Sequence, residues 1–272
     1  MQTRLEISGI LSAGGILDRI VEAKFARLES AKRQMSLESI TELARSARVQ
    51  RRSFSNALNR SDRLNIIAEI KKRSPSKGII REDFDPGWIA ERYEEGGAAA
   101  LSVLCEADFF DGSLSYLKEI RDRVDLPLLR KDFIFDEYQV FESLLSGADA
   151  ILLIVAILDD KLLSALIGLA TELGLDALVE VHDETEMKRA VDAGSSIIGI
   201  NNRALTTFVV DLEVSHRLAR LAPAGTLLVS ESGLSTLMDI NQLRGAGFCA
   251  FLVGEHLMRA ANPGKALKAL LQ

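Results

Sequence analysis

Apolar and polar positions along this chain alternate in a repeating plan. Gly97 opens the apolar run Ala98 to Leu104, and Gly147 opens Ala148 to Ile154. Gly194 opens Ser195 to Asn201, and Gly247 opens Phe248 to Gly254. The four glycines stand 50, 47 and 53 residues apart. Each follows a stretch with helical periodicity, where a C-cap glycine belongs. Further apolar runs are Leu64 to Ile70, Leu126 to Leu129, Ala177 to Val181 and Thr226 to Val229. Near-continuous hydrophobicity predicts strands buried on both faces, as in a parallel sheet. Between them, Ile89 and Tyr93, then Leu162, Leu163, Leu166, Ile167 and Leu169, recur at helical spacing. Eight strand–helix units in about 200 residues predict an α/β chain folded as a (β/α)8 barrel. A doubly wound open sheet is the structural alternative, and no Gly-x-Gly-x-x-Gly follows the first run to support its dinucleotide-binding version.

Two amphipathic stretches precede the first strand, Ile10 to Leu28 and Leu37 to Val49. They predict an N-terminal helical extension over residues 1–60, with the barrel over 61–272 and the two forming one domain. The extension would either cover the N-terminal opening or flank of the barrel, or fold over a ligand site.

Composition narrows the partners. A formal charge of −6 without a strong basic patch argues against nucleic acid. The Arg-rich stretch Arg45 to Arg60 reads as a solvated helix and loop. Cys105 and Cys249 fall in strand regions far apart in sequence and read as small core residues in a reducing compartment. The beginning of the chain lacks a basic region followed by a sufficient apolar run, so no signal peptide is expected. The run Ala148 to Leu158 is too short to cross a bilayer. A soluble cytoplasmic protein with no membrane partner is expected.

A barrel of this kind carries its chemistry at the C-terminal ends of its strands. Those ends here are charged. The first gives Glu69 and Lys71, two apart and therefore on one strand face. The third gives Lys131, the fifth Glu180, the sixth Asn201, Asn202 and Arg203, and the seventh Glu231, Ser232 and Gly233. Two lysines and three glutamates would converge on one space. Opposite charges hold each other ionised while burial pushes toward neutrality, which is expected to bring a lysine into use as an acid near neutral pH. Ser232-Gly233 and Gly254-Glu255 lie close to predicted helix starts, after strands seven and eight, where many barrels bind phosphate. Ser74 and Lys77 could add donors or close as a lid. Phe109, Phe110 and Phe133 follow strands two and three, where at least one could meet an aromatic substrate. His182 stands two after Glu180, but His182, His216 and His256 have no metal-ligand spacing, so no metal site is expected. Ser232 has no His/Asp set for a nucleophilic triad.

These stretches together resemble the indole-3-glycerol phosphate synthase family. The resemblance is carried by Ile67 to Ser76, Phe109 to Leu114, Leu129 to Phe133, Leu178 to Glu184, Ile198 to Arg203 and Ser230 to Gly233, and includes Ile16-Leu17-Asp18 in the extension. It implies a carboxy-lyase that turns 1-(2-carboxyphenylamino)-1-deoxyribulose 5-phosphate into indole-3-glycerol phosphate, CO2 and water, with no metal or organic cofactor. It implies that Lys131 is the general acid of ring closure, that Lys71 contacts substrate and serves dehydration, and that Glu180 transfers protons. Which lysine serves which step is left open. Glu69 and Glu231 are implied to orient the charges and Asn201 to position substrate. Ser232, Gly233, Gly254, Glu255 and Ser74 would hold the phosphate, and Arg203, Phe110 and Phe133 would contact the rest of the substrate.

Two positions depart from the family pattern. Ala204 stands where Asp usually follows the strand-six Arg, which puts loop anchoring in doubt. His256 stands where a small residue is usual, and would crowd the phosphate site or add a positive contact. Alternatives are a phosphoribosylanthranilate isomerase-like barrel, which would not need two lysines and three glutamates, and a non-catalytic barrel that binds a phosphorylated ligand. The expected partner is a phosphorylated aromatic small molecule. The chain is expected to be a monomer, with a partner enzyme left open.

Overall fold

The computed structural model describes residues 9–205 and 207–272. Eight parallel strands close into a barrel: β1 Asn65–Ile70, β2 Ala100–Leu104, β3 Leu128–Lys131, β4 Ala150–Ile154, β5 Asp176–Val181, β6 Ile197–Asn201, β7 Leu227–Glu231 and β8 Ala250–Val253. β1 pairs with both β2 and β8, Ala68 facing Leu101 on one side and Val253 on the other. That closure excludes the open sheet. Before the barrel come α1 Ile16–Gln34, α2 Leu37–Ser46 and α3 Phe54–Leu58. α4 Pro86–Glu95, α5 Ser115–Arg121, α6 Glu137–Leu145, α7 Asp160–Glu172, α8 Glu184–Asp192, α9 Glu213–Ala219 and α10 Leu237–Gly245 alternate with the strands, and α11 Glu255–Met258 and α12 Pro263–Leu270 follow β8.

Local sequence sets the helix ends. Asp85, Asp136, Asp159 and Asp183 each accept a first-turn N–H from Trp88, Tyr138, Leu162 and Glu186, a cap worth about 1 kcal/mol. At the other end, Gly97, Gly147, Gly194 and Gly247 have φ of 91°, 88°, 80° and 99°. A side chain there would strain the turn into the next strand, which is why the repeat is written in glycine.

Two strands run further than their apolar runs. β3 spans Leu128–Lys131 rather than starting at Leu126, and β7 continues from Leu227 to Glu231. Pro127 has no N–H to give the ladder, although its carbonyl accepts from Leu101. At the other end both strands carry polar groups into the barrel mouth, where hydrophobicity ceases to mark them.

The extension does both things weighed for it. α1 begins at Ile16, not Ile10, which forms a bridge with Leu158. Gly14 and Gly15, with φ of 80° and 64°, turn the chain, and Asp18 accepts from Ser12 Oγ at 2.6 Å and from the N–H groups of Ala13 and Gly14. α1 then places Ile16, Leu17 and Ile20 over the C-terminal mouth. Ion pairs Lys24–Asp132 (2.5 Å), Arg27–Asp108 (2.6 Å) and Lys32–Asp136 (2.7 Å) hold it there. At the opposite end α3 buries Phe54 and Leu58, and Asn65 Nδ2 bonds the carbonyls of Leu58, Arg60 and Cys249. Arg52 is not simply solvated: its guanidinium reaches the carbonyls of Leu126 and Arg121 and the Asp125 carboxylate, while its N–H binds the buried Asp149. α2 stops at Ser46, short of Val49. Residues 1–8, counted in the extension and read as carrying no leader, lie outside the described residues.

Candidate active site

The strand ends converge as their alternation requires. Lys131 Nζ lies 2.7 Å from Glu180 Oε2 and 2.7 Å from Glu231 Oε2. Asn201 Nδ2 donates to Glu180 Oε1 at 3.2 Å, and Lys71 Nζ pairs with Glu69 Oε2 on the next wall. Glu69, Glu180 and Glu231 are all buried. Burial works hardest against a charged Lys131, but Glu180, Glu231 and Glu69 overcome it and hold the ammonium well above the ordinary lysine range. Of the two opposed effects weighed on the lysines, ion pairing wins at Lys131: with three carboxylates around it, Lys131 keeps its proton throughout the neutral range.

The two carboxylates on Lys131 are not equivalent. Burial favours the neutral form of both. For Glu180, Lys131 and His182 outweigh burial and push the carboxyl below the usual range. For Glu231, burial and the nearby Glu180 and Glu69 charges outweigh Lys131, and its carboxyl is pushed up to about 7. Its Oε1 is buried with no hydrogen-bond partner.

Glycines make room for this cluster. A Cβ on Gly199, which faces Glu180 across the β5–β6 ladder, would overlap Glu231 Oε1. A Cβ on Gly254 would overlap Glu69 Oε2. Gly254 therefore accommodates the Glu69–Lys71 pair, and a bulky residue there would disturb Lys71. Among the described residues, no group of three or more His, Cys, Asp or Glu could hold a metal ion.

The cluster floors a cavity of about 440 Å³, ordinary for a small-molecule site. One side is apolar: Leu104, Leu152 and Ile154 from β2 and β4, Phe110 and Phe133 from the loops after β2 and β3, and the α1 residues above. The Phe110 and Phe133 rings stand 6.2 Å apart. The other side carries Ser232, Gly233, Gly254, Glu255, His256, Arg203 and, from the β1 loop, Ser74. Ser232 and Gly233 have φ of 67° and 84°. A left-handed serine costs about 1–2 kcal/mol, strain of the kind that clusters at functional sites. This turn precedes the helix rather than starting it, since α10 begins at Leu237 behind the Thr236 cap. Gly254 does cap α11, whose first N–H groups have no partner within the helix. Glu255 pairs with Arg259 at 3.0 Å, and His256 is exposed.

Ala204 and its described neighbours are tied down. Its N–H bonds the Val209 carbonyl, Arg203 Nη1 bonds the Phe208 carbonyl at 3.2 Å, and Asn202 Nδ2 bonds Ser230, Glu231 and Ser232.

A family model for indole-3-glycerol phosphate synthase matches residues 17–270. The chain belongs to the indole-3-glycerol phosphate synthase family. The indole-3-glycerol phosphate synthase of Desulfotalea psychrophila is 48% identical to it over 255 residues, 94% of this chain and 98% of that one. Those of Polaromonas naphthalenivorans and Campylobacter jejuni subsp. jejuni are 49% and 46% identical, each over 94% of this chain. Among solved structures, an N-acetylmannosamine-6-phosphate 2-epimerase from Clostridium perfringens shares the fold with a TM-score of 0.60, at 16% identity over 82% of this chain and 97% of its own. At that identity only the barrel architecture is shared.

Set in this family, the chain also has site residues that sequence reasoning passed over. His182, weighed only as a metal ligand, stands 3.4 Å from Glu180 Oε1 and 3.0 Å from Glu186 Oε2. The four-residue spacing of His182 and Glu186 across the start of α8 was a readable signal. Glu106, fully buried after β2, accepts the N–H groups of Asp108, Phe109 and Phe110 and so shapes the loop that presents the phenylalanines. The buried Asp132 joins Lys24 to Arg130, fixing α1 one residue from Lys131. No local spacing announces that long-range pair.

Proposed function

We propose that this site carries out the reaction of its family with Lys131 as the general acid of ring closure. The reaction is a carboxy-lyase step of tryptophan biosynthesis: 1-(2-carboxyphenylamino)-1-deoxyribulose 5-phosphate becomes indole-3-glycerol phosphate, CO2 and water. The aromatic carbon bearing the carboxylate attacks the ribulose carbonyl carbon, and the oxygen takes a proton from Lys131 as it becomes a hydroxyl. The bond to CO2 then breaks and restores the aromatic ring. Loss of that hydroxyl as water, with a proton leaving the neighbouring carbon, completes the indole. Glu180 is the carboxylate of the proton transfers and Lys71 the second ammonium, held by Glu69. Glu231 and Asn201 keep Lys131 and Glu180 in register. The phosphate takes the Ser232, Gly233, Gly254, Glu255 and Ser74 side, through backbone N–H groups and serine hydroxyls, and Arg203 supplies positive charge nearby. The aromatic ring takes the Phe110 and Phe133 side.

The observation that carries this reading is the Lys131 ammonium, 2.7 Å from both Glu180 and Glu231, at the base of a cavity with one apolar wall and one wall of serines, glycines and Arg203. Indole fluorescence measures the product directly. Lys131→Ala should lower kcat by about 10² to 10⁴ with KM changed only a few-fold. Near-parental turnover would remove Lys131 from the chemistry.

Among the described residues no helix is long and apolar enough to cross a membrane. The proposal of a cytoplasmic monomer draws, for the compartment, on two free thiols, Cys105 and Cys249. Light scattering on the purified protein tests the monomer.

A further inference from the structure

Glu180 and Glu231 share Lys131 but differ in their other contacts. Glu180 Oε1 receives Asn201 Nδ2 at 3.2 Å and faces His182 Nε2 at 3.4 Å. Glu231 Oε1 receives nothing. The His182 ring is itself held: Nδ1 lies 3.0 Å from Glu186 Oε2, whose same oxygen accepts the His182 N–H at 2.8 Å. The ring thus bridges a carboxylate of the active site and one outside it. Its Nε2 has no well-aligned hydrogen-bond partner, and its action on Glu180 combines a bent N–H contact at 3.4 Å with the pull of its charge.

The surroundings favour that charge. His182, Asp183, Glu186 and Asp211 line a second cavity, with Asn201 at the end of β6 and Asn202 just after it. Lys131 faces Glu180 from β3, and Glu231 faces Lys131 from β7. Among the described residues around the ring, acids therefore predominate. Burial opposes the imidazolium, but Glu180 and Glu186 raise it to about 10.

We propose that His182, fixed by Glu186, is a positioning residue that makes Glu180 the permanently ionised member of the carboxylate pair on Lys131. Any proton the pair shares near neutral pH then resides on Glu231. This inference rests on Glu180 as the proton-transferring carboxylate. Without the imidazolium, only the Asn201 amide still sets Glu180 apart from Glu231, each buried and each sharing one ammonium. The shared proton then occupies Glu180 for much of the time and blocks it as a base. Opposite charges at this range move a carboxyl by about one to three pH units, and one unit is a factor of ten.

The test is the pH profile of turnover, by indole fluorescence, for the parent, His182→Gln, Glu186→Gln and Glu180→Gln. His182→Gln should lose about tenfold or more in kcat at pH 6.5 and recover toward the parent by pH 9, with KM within about twofold. Glu186→Gln should move the acid limb the same way by less, because the ring stays while its charge is less well held. Should His182→Gln not fold, Glu186→Gln carries the kinetic test. In the parent, ¹⁵N NMR should find the His182 ring protonated at pH 8; only three histidines need assignment. An equal loss at every pH, an unmoved acid limb, or a neutral ring at pH 7 would overturn the proposal. Glu180→Gln separates the two readings. If it remains active, Glu180 is not the proton-transfer group. If it is inactive while the His182 and Glu186 profiles match the parent, only the role of His182 fails.

Discussion

Glu231→Gln should make the folded protein less dependent on pH while impairing catalysis. The cluster holds three cationic side chains, Lys71, Lys131 and His182, against four acids, Glu69, Glu180, Glu186 and Glu231. One proton balances it, and burial together with the neighbouring carboxylates makes Glu231 the group that takes it, its carboxyl rising from the ordinary 4.5 to about 7. A carboxyl raised on folding binds a proton more tightly in the folded state. Its contribution to stability is complete below pH 4.5 and is lost as pH rises through about 7. At about 1.4 kcal/mol per pH unit, the loss is on the order of 3 kcal/mol. Glutamine keeps the shape and cannot ionise. Urea unfolding at pH 5 and pH 8 measures the effect: relative to the parent, the Gln variant should gain about 2–3 kcal/mol in the step from pH 5 to pH 8. Its kcat should fall, because Lys131 loses one of its two carboxylates. A parent–variant difference that is the same at both pH values would refute the charge count behind this reasoning.

Other outcomes follow from the same geometry. Lys131→Arg should fail nearly as badly as Lys131→Ala, since a planar guanidinium on a longer stem cannot take the place of a compact ammonium 2.7 Å from both Glu180 and Glu231; indole fluorescence decides it, and parental turnover would mean that Lys131 acts only as a charge. Gly254→Ala should lower kcat and not merely raise KM, because the new Cβ displaces the Glu69 carboxylate from Lys71; a pure KM effect would return Gly254 to the phosphate side alone. Gly233→Val should strain a backbone at φ 84° and push against Val210, raising KM for substrate and weakening competition by inorganic phosphate; unchanged values would place the phosphate elsewhere in the mouth. Chelator-treated, dialysed enzyme should retain full activity, and a loss restored by one metal would contradict the reading.

The barrel was legible in the chain because its causes are local. Four helix-ending glycines at near-regular spacing, and short apolar runs between amphipathic stretches, express the repeated packing of strand against helix. The charged strand ends were legible for a related reason: Glu69, Lys131, Glu180, Asn201 and Glu231 interrupt hydrophobicity where a barrel opens to solvent. Lengths read from apolar runs failed at β3 and β7, where polar residues continue the strand into the barrel mouth. The start of α1 was missed because Asp18 and the Gly14-Gly15 turn end the apparent periodicity of Ile10. The charge state of each site group depended on the assembled fold. Sequence shows that two lysines and three glutamates meet, but their balance is a sum over partners from different strands. Only closure of the barrel puts Glu180 and Glu231 on the same ammonium, aims His182 at one of them, and leaves Glu231 Oε1 without a partner. Electrostatic energy in a buried space depends on distances that linear spacing does not contain. The chain alone therefore names the charged groups at the strand ends, and the tertiary structure decides which of them face one another.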